Sequence, residues 1–233
     1  MTFATSSTST RGNLGNIGNL GNLGNLGTML DLSISATQTA KSGKTAPILH
    51  KGTQFIRQFD EVEAAFNASA FNEPEANRVN LCMRTTSSIE DWITEFEHWL
   101  LDYCTSNSMR IFGKELTRDG VAFMYTPLLK MSDKYPSTWK VKLNKTGRQA
   151  CRCWDKNTRL KREQPDDWRD CTIIPRVWIK SLWIQSKSFG VIMELTDAVL
   201  SESGPKECPV SFEWMGEGEG EGDGKGEGGN AKA

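Results

Sequence analysis

Apolar and polar residues alternate along two separate stretches of the chain, and this alternation limits the fold more than any other feature. In "TWKVKLNK" (138–145) it places Trp139 and Leu143 on one face. In "TIIPRVWIKSLWI" it places Val177 and Trp183 on one face and Trp178 on the other. A period of two indicates β-strands that are buried on one side only. We therefore expect strands here, with Trp139 and Trp183 in the core and Trp178 outside it.

A different period precedes these strands. In "SSIEDWITEFEHWLLDYCTSN" (87–107), apolar residues recur every three or four positions, which predicts an amphipathic helix with an aromatic face in the core. A second, shorter helix is predicted from Arg118 to Tyr125, with Thr117 as its cap. Several strands with one or two helices predict an α+β fold that is mainly β, built on a small antiparallel sheet or barrel.

Both ends of the chain differ from this middle part in composition. Residues 1–52 include the repeat "GNLGNIGNLGNLGNLG", whose period of three fits neither a helix face nor a strand face. Residues 201–233 end in alternating Gly and Glu, which leaves almost nothing to bury. We therefore expect a disordered Gly-Asn-Leu arm over 1–52, a folded domain over 53–200 and a disordered acidic tail over 201–233.

Charge is divided unevenly along the chain, although the net charge is only −1. Residues 110–187 hold 18 Lys and Arg against 8 Asp and Glu, whereas residues 188–233 hold 3 against 10. A basic middle followed by an acidic tail indicates a polyanionic partner, and the tail itself resembles a polyanion. The tail acids that we expect to compete for the basic region are Glu217, Glu219, Glu221, Asp223 and Glu227.

Tryptophans interrupt the basic region, and this mixture is what single-stranded nucleic acid requires. Cations follow the phosphates, and flat rings stack on unpaired bases. Trp154 and Trp178 share their strand faces with basic residues, so they are the predicted stacking residues. The predicted phosphate contacts are Lys140, Lys142, Lys145, Arg148, Arg152, Arg159, Lys161, Arg162, Arg176 and Lys180.

Catalytic and metal sites are not indicated. The two histidines, His50 and His98, lie in the predicted arm and in the long helix, with no triad-like neighbours. Cys151 and Cys153 could supply two metal ligands, but no second pair follows at a zinc-like spacing. We therefore expect a protein that is not an enzyme and holds no cofactor or metal.

The stretch 78–200 resembles the OB-fold single-stranded-DNA-binding proteins of tailed phages and large nucleocytoplasmic DNA viruses. The segments that carry the resemblance are "FGKELTRDGVAFMYTPLLK" (112–130), "WKVKLNK" (139–145) and "VWIKSLWIQSKSFGVIMEL" (177–195). They are diffuse rather than short fixed motifs.

This resemblance implies an OB-like barrel that binds single strands without sequence preference and supports viral DNA replication or recombination. It also implies an acidic tail that competes with DNA and docks replication enzymes. Such tails commonly end in an aromatic or apolar residue, whereas this chain ends in "GEGGNAKA", so Phe212 and Trp214 at the root of the tail are the alternative docking residues.

Two other functions fit the sequence. A structural or virion-associated protein would use the sheet and the arm for protein contacts, and an RNA-binding OB module would differ only in substrate. A homo-oligomer is compatible with all three functions. The chain has neither a membrane-length apolar run nor a signal-peptide pattern. We therefore expect a soluble intracellular protein with no membrane partner, in the nucleus or a viral replication compartment if it is viral.

Overall fold

The computed structural model describes residues 29–40, 43–70, 73 and 75–201. In this part the helices are α1 (Ser87–Ser106), α2 (Ser108–Phe112) and α3 (Arg118–Met124). The strands are β1 (Leu32–Ile34), β2 (Gln38–Ala40), β3 (Gly43–His50), β4 (Thr53–Gln54), β5 (Ile56–Gln58), β6 (Val62–Glu63), β7 (Arg78–Arg84), β8 (Leu129–Lys130), β9 (Thr138–Asn144), β10 (Arg152–Asp155), β11 (Lys161–Arg162), β12 (Thr172–Ile184) and β13 (Phe189–Ser201).

The long antiparallel pair β12 and β13 is the centre of the sheet. β3, β5 and β6 pair with the other edge of β12, all antiparallel. β9 and β10 pair with β13 in parallel. The sheet is therefore an open mixed sheet, and the prediction of a purely antiparallel arrangement was wrong. The physical reason is a crossover: β11 and β12 lie in sequence between β10 and β13, and parallel neighbours require a long connection of this kind.

The sheet also begins earlier in the chain than the sequence predicted. β1 and β3 pair with each other, and β3 continues into the central sheet through β12. Leu32, Ile34, Ala46 and Ile48 are buried in the core. Residues 29–40 and 43–52 therefore belong to the folded part and not to a disordered arm. Their few apolar residues were hidden among Ser, Thr, Gln and Lys. The repeat itself and residues 202–233 lie outside the described residues.

The predicted helices are confirmed in position. α1 covers one face of the sheet, and its ring of Trp92 packs edge-on against Phe59 at 4.9 Å between centroids. Phe59 in turn packs against Trp139 of β9, also at 4.9 Å. Thr117 caps α3, because its hydroxyl accepts a hydrogen bond from the backbone N–H of Gly120. Within the described ranges, none of the helices combines the length and the apolar character needed to cross a membrane.

A β-bulge in β12 changes which side chains face the core. The register with β13 shifts between Ile179 and Ser181, so one extra residue, Lys180, is inserted. Beyond this point the alternation is inverted, and Leu182 is buried while Trp183 lies half-exposed on the opposite face. The prediction that Trp183 belongs to the core was therefore wrong. Trp139, on the regular strand β9, is fully buried as predicted.

Candidate nucleic-acid interface

The face of the sheet opposite α1 is defined by cross-strand neighbours, which share a face in any sheet. Asn80 of β7 pairs with Lys142 of β9, and Lys142 pairs with Glu194 of β13. Glu194 pairs with Trp178 of β12, which pairs with Ile56 of β5. One row across five strands therefore brings Lys142 and Trp178 to the same face. We call this surface the outer face.

Glu194 is the buried acid at the centre of the outer face, with only 3% of its surface exposed. Its carboxylate accepts hydrogen bonds from Lys180 Nζ at 3.0 and 3.1 Å and from the guanidinium of Arg78. Hydrogen bonds of this charged kind are among the stronger ones in proteins. One carboxylate thus positions two cations and neutralises only one of them, which leaves the surface positive.

Lys142 shows how crowded the positive charge is. Burial lowers the pKa of its ammonium group, and the neighbouring charges of Arg78 and Lys140 lower it further, against the opposing effect of Glu194. A cation in this position gains from any additional anion, because the anion favours its charged form. The crowded positive charge of the outer face therefore favours binding of a negatively charged ligand.

Trp178 lies half-exposed beside these charges. Lys180 Nζ is 4.7 Å from the centre of its ring, a distance typical of a cation–π contact. Its indole N–H is buried, and no hydrogen-bond acceptor for it is found within the described ranges. The ring therefore touches the ammonium of Lys180, which Glu194 holds in place.

A second buried acid, Asp197, organises the next row. Arg152 binds both of its oxygens, with Nε at 2.8 Å and Nη2 at 3.0 Å. The indole N–H of Trp154 donates to it at 3.3 Å, and Arg176 Nη1 lies at 4.0 Å. Burial alone would raise the pKa of Asp197, but the hydrogen bonds that it accepts keep this pKa below its ordinary value. Asp197 is therefore ionised at neutral pH and fixes the orientation of Arg152 and Trp154.

A groove of about 540 Å³ runs along the outer face beside these two acids. Its lining contains five of the twelve predicted contact residues, which are Arg148, Arg152, Lys161, Arg176 and Trp178. Gln54 and Ile56 form part of its wall. We call this the Trp178 groove. It combines cations with one aromatic ring, which is the combination predicted from the sequence.

The other predicted residues lie around this groove or away from it. Lys140 and Lys142 line a neighbouring groove, and Lys180 contacts Trp178 and Glu194. Trp154 pairs with Lys161 across the hairpin of β10 and β11. Lys145 lines a separate depression beside the buried Trp168. The five tail acids lie outside the described residues, so their competition for the grooves stays a prediction.

Arg159 and Arg162 are exposed on the β10–β11 hairpin, beside Lys161. The turn is built by Asp155, whose Oδ1 accepts hydrogen bonds from the backbone N–H groups of Asn157 and Thr158. These bonds lower the pKa of Asp155. Arg159 has a positive φ of 59°, which closes the turn. The hairpin therefore carries a cluster of solvated cations at the edge of the Trp178 groove.

Several residues of this surface were missed by sequence reasoning. Arg78 comes from a strand far from the basic region, and Trp183 was assigned to the core. Glu194 and Asp197 were passed over as acids within an apolar strand. A signal for these two did exist, since charged residues inside "FGVIMELTDAVL" must find cationic partners if they are buried.

The cysteines and histidines considered in the sequence lie at separate places in the part that the structure describes. No group of three or more His, Cys, Asp or Glu is placed there to hold a metal ion. Cys151 and Cys153 are buried free thiols, and His98 is an exposed residue of α1. His50 lies in β3, with Nε2 at 3.9 Å from Asp31.

No family model matches the chain, and no curated protein matches its sequence. Among solved structures, the chain is similar to the single-stranded DNA-binding protein from bacteriophage Enc34, with 9% identity and a TM-score of 0.43. That match covers 76% of this chain and 96% of the phage protein. The same phage protein in complex with ssDNA matches with 8% identity and a TM-score of 0.42, over 74% and 97% of the two chains. The modest, diffuse resemblance predicted from the sequence is thereby confirmed.

Proposed function

We propose that this protein binds single-stranded DNA without sequence preference, in support of DNA replication or recombination, and that it is not an enzyme. The observation that carries the proposal is the outer face, where Trp178 lies in one groove with Arg148, Arg152, Lys161 and Arg176. Cations of this kind hold phosphates whatever the sequence, and the ring accepts any base. The phage protein to which the fold is similar is named for the same substrate.

Two buried acids fix the cations of the groove in place, and fixed cations favour ordered binding of a single strand over unspecific charge attraction. Glu194 and Asp197 hold Lys180, Arg152 and Arg176 in fixed positions along the groove. Fixed cations bind a flexible chain with less loss of side-chain entropy than free ones. The groove then orders the phosphates, and Trp178 selects for bases that are not stacked in a duplex.

The acidic tail is proposed to compete with DNA for this groove. From Glu217 to Glu227 it carries five acids and one lysine, and it is covalently tethered to the domain. Such a tether gives an effective concentration in the millimolar range. A tethered polyanion of this strength would prevent weak, unspecific ligands from occupying the groove while longer single strands displace it.

The first experiment is a titration of a labelled oligodeoxynucleotide of about 16 nucleotides, the upper end of common footprints for one OB domain. The full chain and a version that ends at Ser201 are compared with single-stranded DNA, duplex DNA and single-stranded RNA. We expect binding of the single strand, with the logarithm of affinity falling by about 0.7 per phosphate contact for each decade of salt. The version without the tail should bind more tightly at low salt.

Each other result has a definite meaning. Equal affinity for duplex and single strand would contradict the stacking role of Trp178. Tighter binding of single-stranded RNA than of single-stranded DNA would indicate that RNA is the substrate. Absence of binding to every nucleic acid would overturn the proposal and favour an assembly role, in which the outer face contacts an acidic protein.

Trp178→Ala is expected to weaken single-strand binding by about 1 to 3 kcal/mol, because one base loses its stacking partner. Phe123→Ala is the matched control, since Phe123 is 91% exposed on the helical side of the domain. Affinity is measured by fluorescence anisotropy and folding by circular dichroism. Unchanged affinity of a folded Trp178→Ala protein would remove Trp178 from the binding site.

A further inference from the structure

Trp183 occupies an unusual position on the outer face. It pairs across the sheet with Gly190 of β13. A methyl group at position 190 would lie 2.9 Å from three atoms of the indole ring, namely Cε2, Cζ2 and Nε1. The ring therefore lies flat on the glycine backbone, and a side chain at this position would displace it. Gly190 therefore contacts one face of the indole ring, and the rest of the ring lines a groove.

That groove has about 320 Å³, and we call it the Trp183 groove. Lys130, Lys140 and Lys142 line it together with Trp183, and no carboxylate is among its described lining residues. Lys130 and Lys140 are exposed and have no ion-pair partner within the described ranges. In the Trp178 groove, by contrast, Arg152 and Arg176 are already paired with Asp197. The Trp183 groove thus carries positive charge that no acid among its described lining residues compensates.

The remaining lining suits a nucleotide. Ile192 of β13 provides an apolar floor, and Asn80 and Thr138 provide neutral hydrogen-bonding groups. A flat ring with an apolar floor accepts a base, and lysines at its rim accept the adjoining phosphate. A small inorganic anion would use the lysines but not the ring.

The two grooves lie along the same strand. Trp178 and Trp183 are five positions apart on β12, about 16 Å at the rise of a β-strand. Lys142 lines the Trp183 groove, and its cross-strand neighbour Glu194 lines the Trp178 groove. A single ligand that follows the outer face would pass from one ring to the other.

We propose that the Trp183 groove is a second nucleotide subsite, which binds one base on Trp183 and its phosphate through Lys130 and Lys140. The proposal rests on the proposed function, because both subsites belong to one single-strand path. It adds a prediction that the function alone does not contain. Oligonucleotides long enough to reach both rings bind through both subsites, and the shortest ones need only one.

Two variants change this subsite without touching the Trp178 groove. Gly190→Ala displaces the ring of Trp183 without replacing Trp183 itself. The double variant Lys130→Gln with Lys140→Gln removes two positive charges from the Trp183 groove. The control is Lys114→Gln, an exposed lysine next to α2 that lines neither groove. Affinity is measured for oligothymidylates of about 4 and about 16 nucleotides, the two ends of the usual range of footprints.

For the longer oligonucleotide, we expect about tenfold weaker binding by Gly190→Ala. The double lysine variant should weaken binding and lower the salt dependence by about 1.4, two contacts at about 0.7 each. For the shortest oligonucleotide, both variants should bind within about twofold of the unchanged protein. Lys114→Gln should match the unchanged protein with both lengths. Because the lysines are exposed, the double variant tests the subsite even if Gly190→Ala fails to fold.

Failures of the two proposals are distinguishable. If the unchanged protein binds no single strand, the proposed function and the subsite are both overturned. If it binds, and Trp178→Ala weakens it while both subsite variants bind the longer oligonucleotide normally, only the subsite is overturned. Equal weakening with both lengths would also overturn it, since Trp183 would then act as a support for the Trp178 groove.

Discussion

Reversing the charge of Lys140, Arg148 and Lys161 together, each to Glu, is expected to weaken single-strand binding by roughly 100-fold or more at about 0.1 M salt. Each phosphate contact on a single strand contributes a factor of about 5 at this salt concentration through the release of bound cations. Three lost contacts already multiply to about 100, and the repulsion by the new carboxylates adds to this loss.

Folding should survive this change. All three side chains are at the surface, and no ion-pair partner of theirs appears in the described part of the chain. Substitutions at such positions usually alter stability by less than about 0.5 kcal/mol. Arg152 and Arg176 are left out of the variant deliberately, because Glu in their places would lie against the buried Asp197.

The matched control reverses Lys44, Lys114 and Lys187, which are exposed and line neither groove. Both triple variants have the same net charge, so their comparison separates a local site from general attraction. Anisotropy titrations at several salt concentrations give affinity and salt slope together. If the two variants lose the same affinity, the net charge of the domain governs binding and the grooves do not.

The basic region and its tryptophans were readable from the sequence because both signals are local. Lys140 and Lys142 alternate with buried residues on β9, and a regular strand keeps that order over its whole length. The long helix was equally readable from the spacing of Trp92 and Phe96. Local periodicity thus predicted which residues of these elements face solvent.

The partners of the basic residues were not readable, because they come from distant parts of the chain. Arg78 and Lys180 are 102 positions apart and meet only through the buried Glu194. Likewise, Ile56 reaches the Trp178 groove only because β5 pairs with β12. The strands β1, β2 and β3 were missed for a similar reason. Ala46 and Ile48 become core residues only when β3 pairs with β12, and their polar neighbours gave no local signal.

The β12 bulge at Lys180 is a local feature that sequence periodicity misread, and it separates two tryptophans that the sequence had placed together in the core. Trp139 is fully buried and packs against Phe59, whereas Trp183 is half-exposed over Gly190. A one-residue insertion costs little in a strand and leaves no compositional mark, but it exchanges the faces of every residue beyond it.

Trp139→Ala is therefore expected to lower the free energy of unfolding by about 3 to 5 kcal/mol, the usual cost of removing a buried tryptophan. Trp183→Ala should cost only about 1 kcal/mol, since its ring is only partly buried and lies on the outer face. Urea denaturation followed by far-ultraviolet circular dichroism measures both losses without depending on tryptophan fluorescence.

The same pair separates stability from binding. Trp183→Ala should retain the fold and lose affinity for the longer oligonucleotide, while Trp139→Ala should lose stability and, where still folded, bind normally. Equal destabilisation by the two substitutions would place Trp183 in the core after all. The bulge would then be absent in solution, and Lys180 could not lie between Trp178 and Glu194 as the outer face requires.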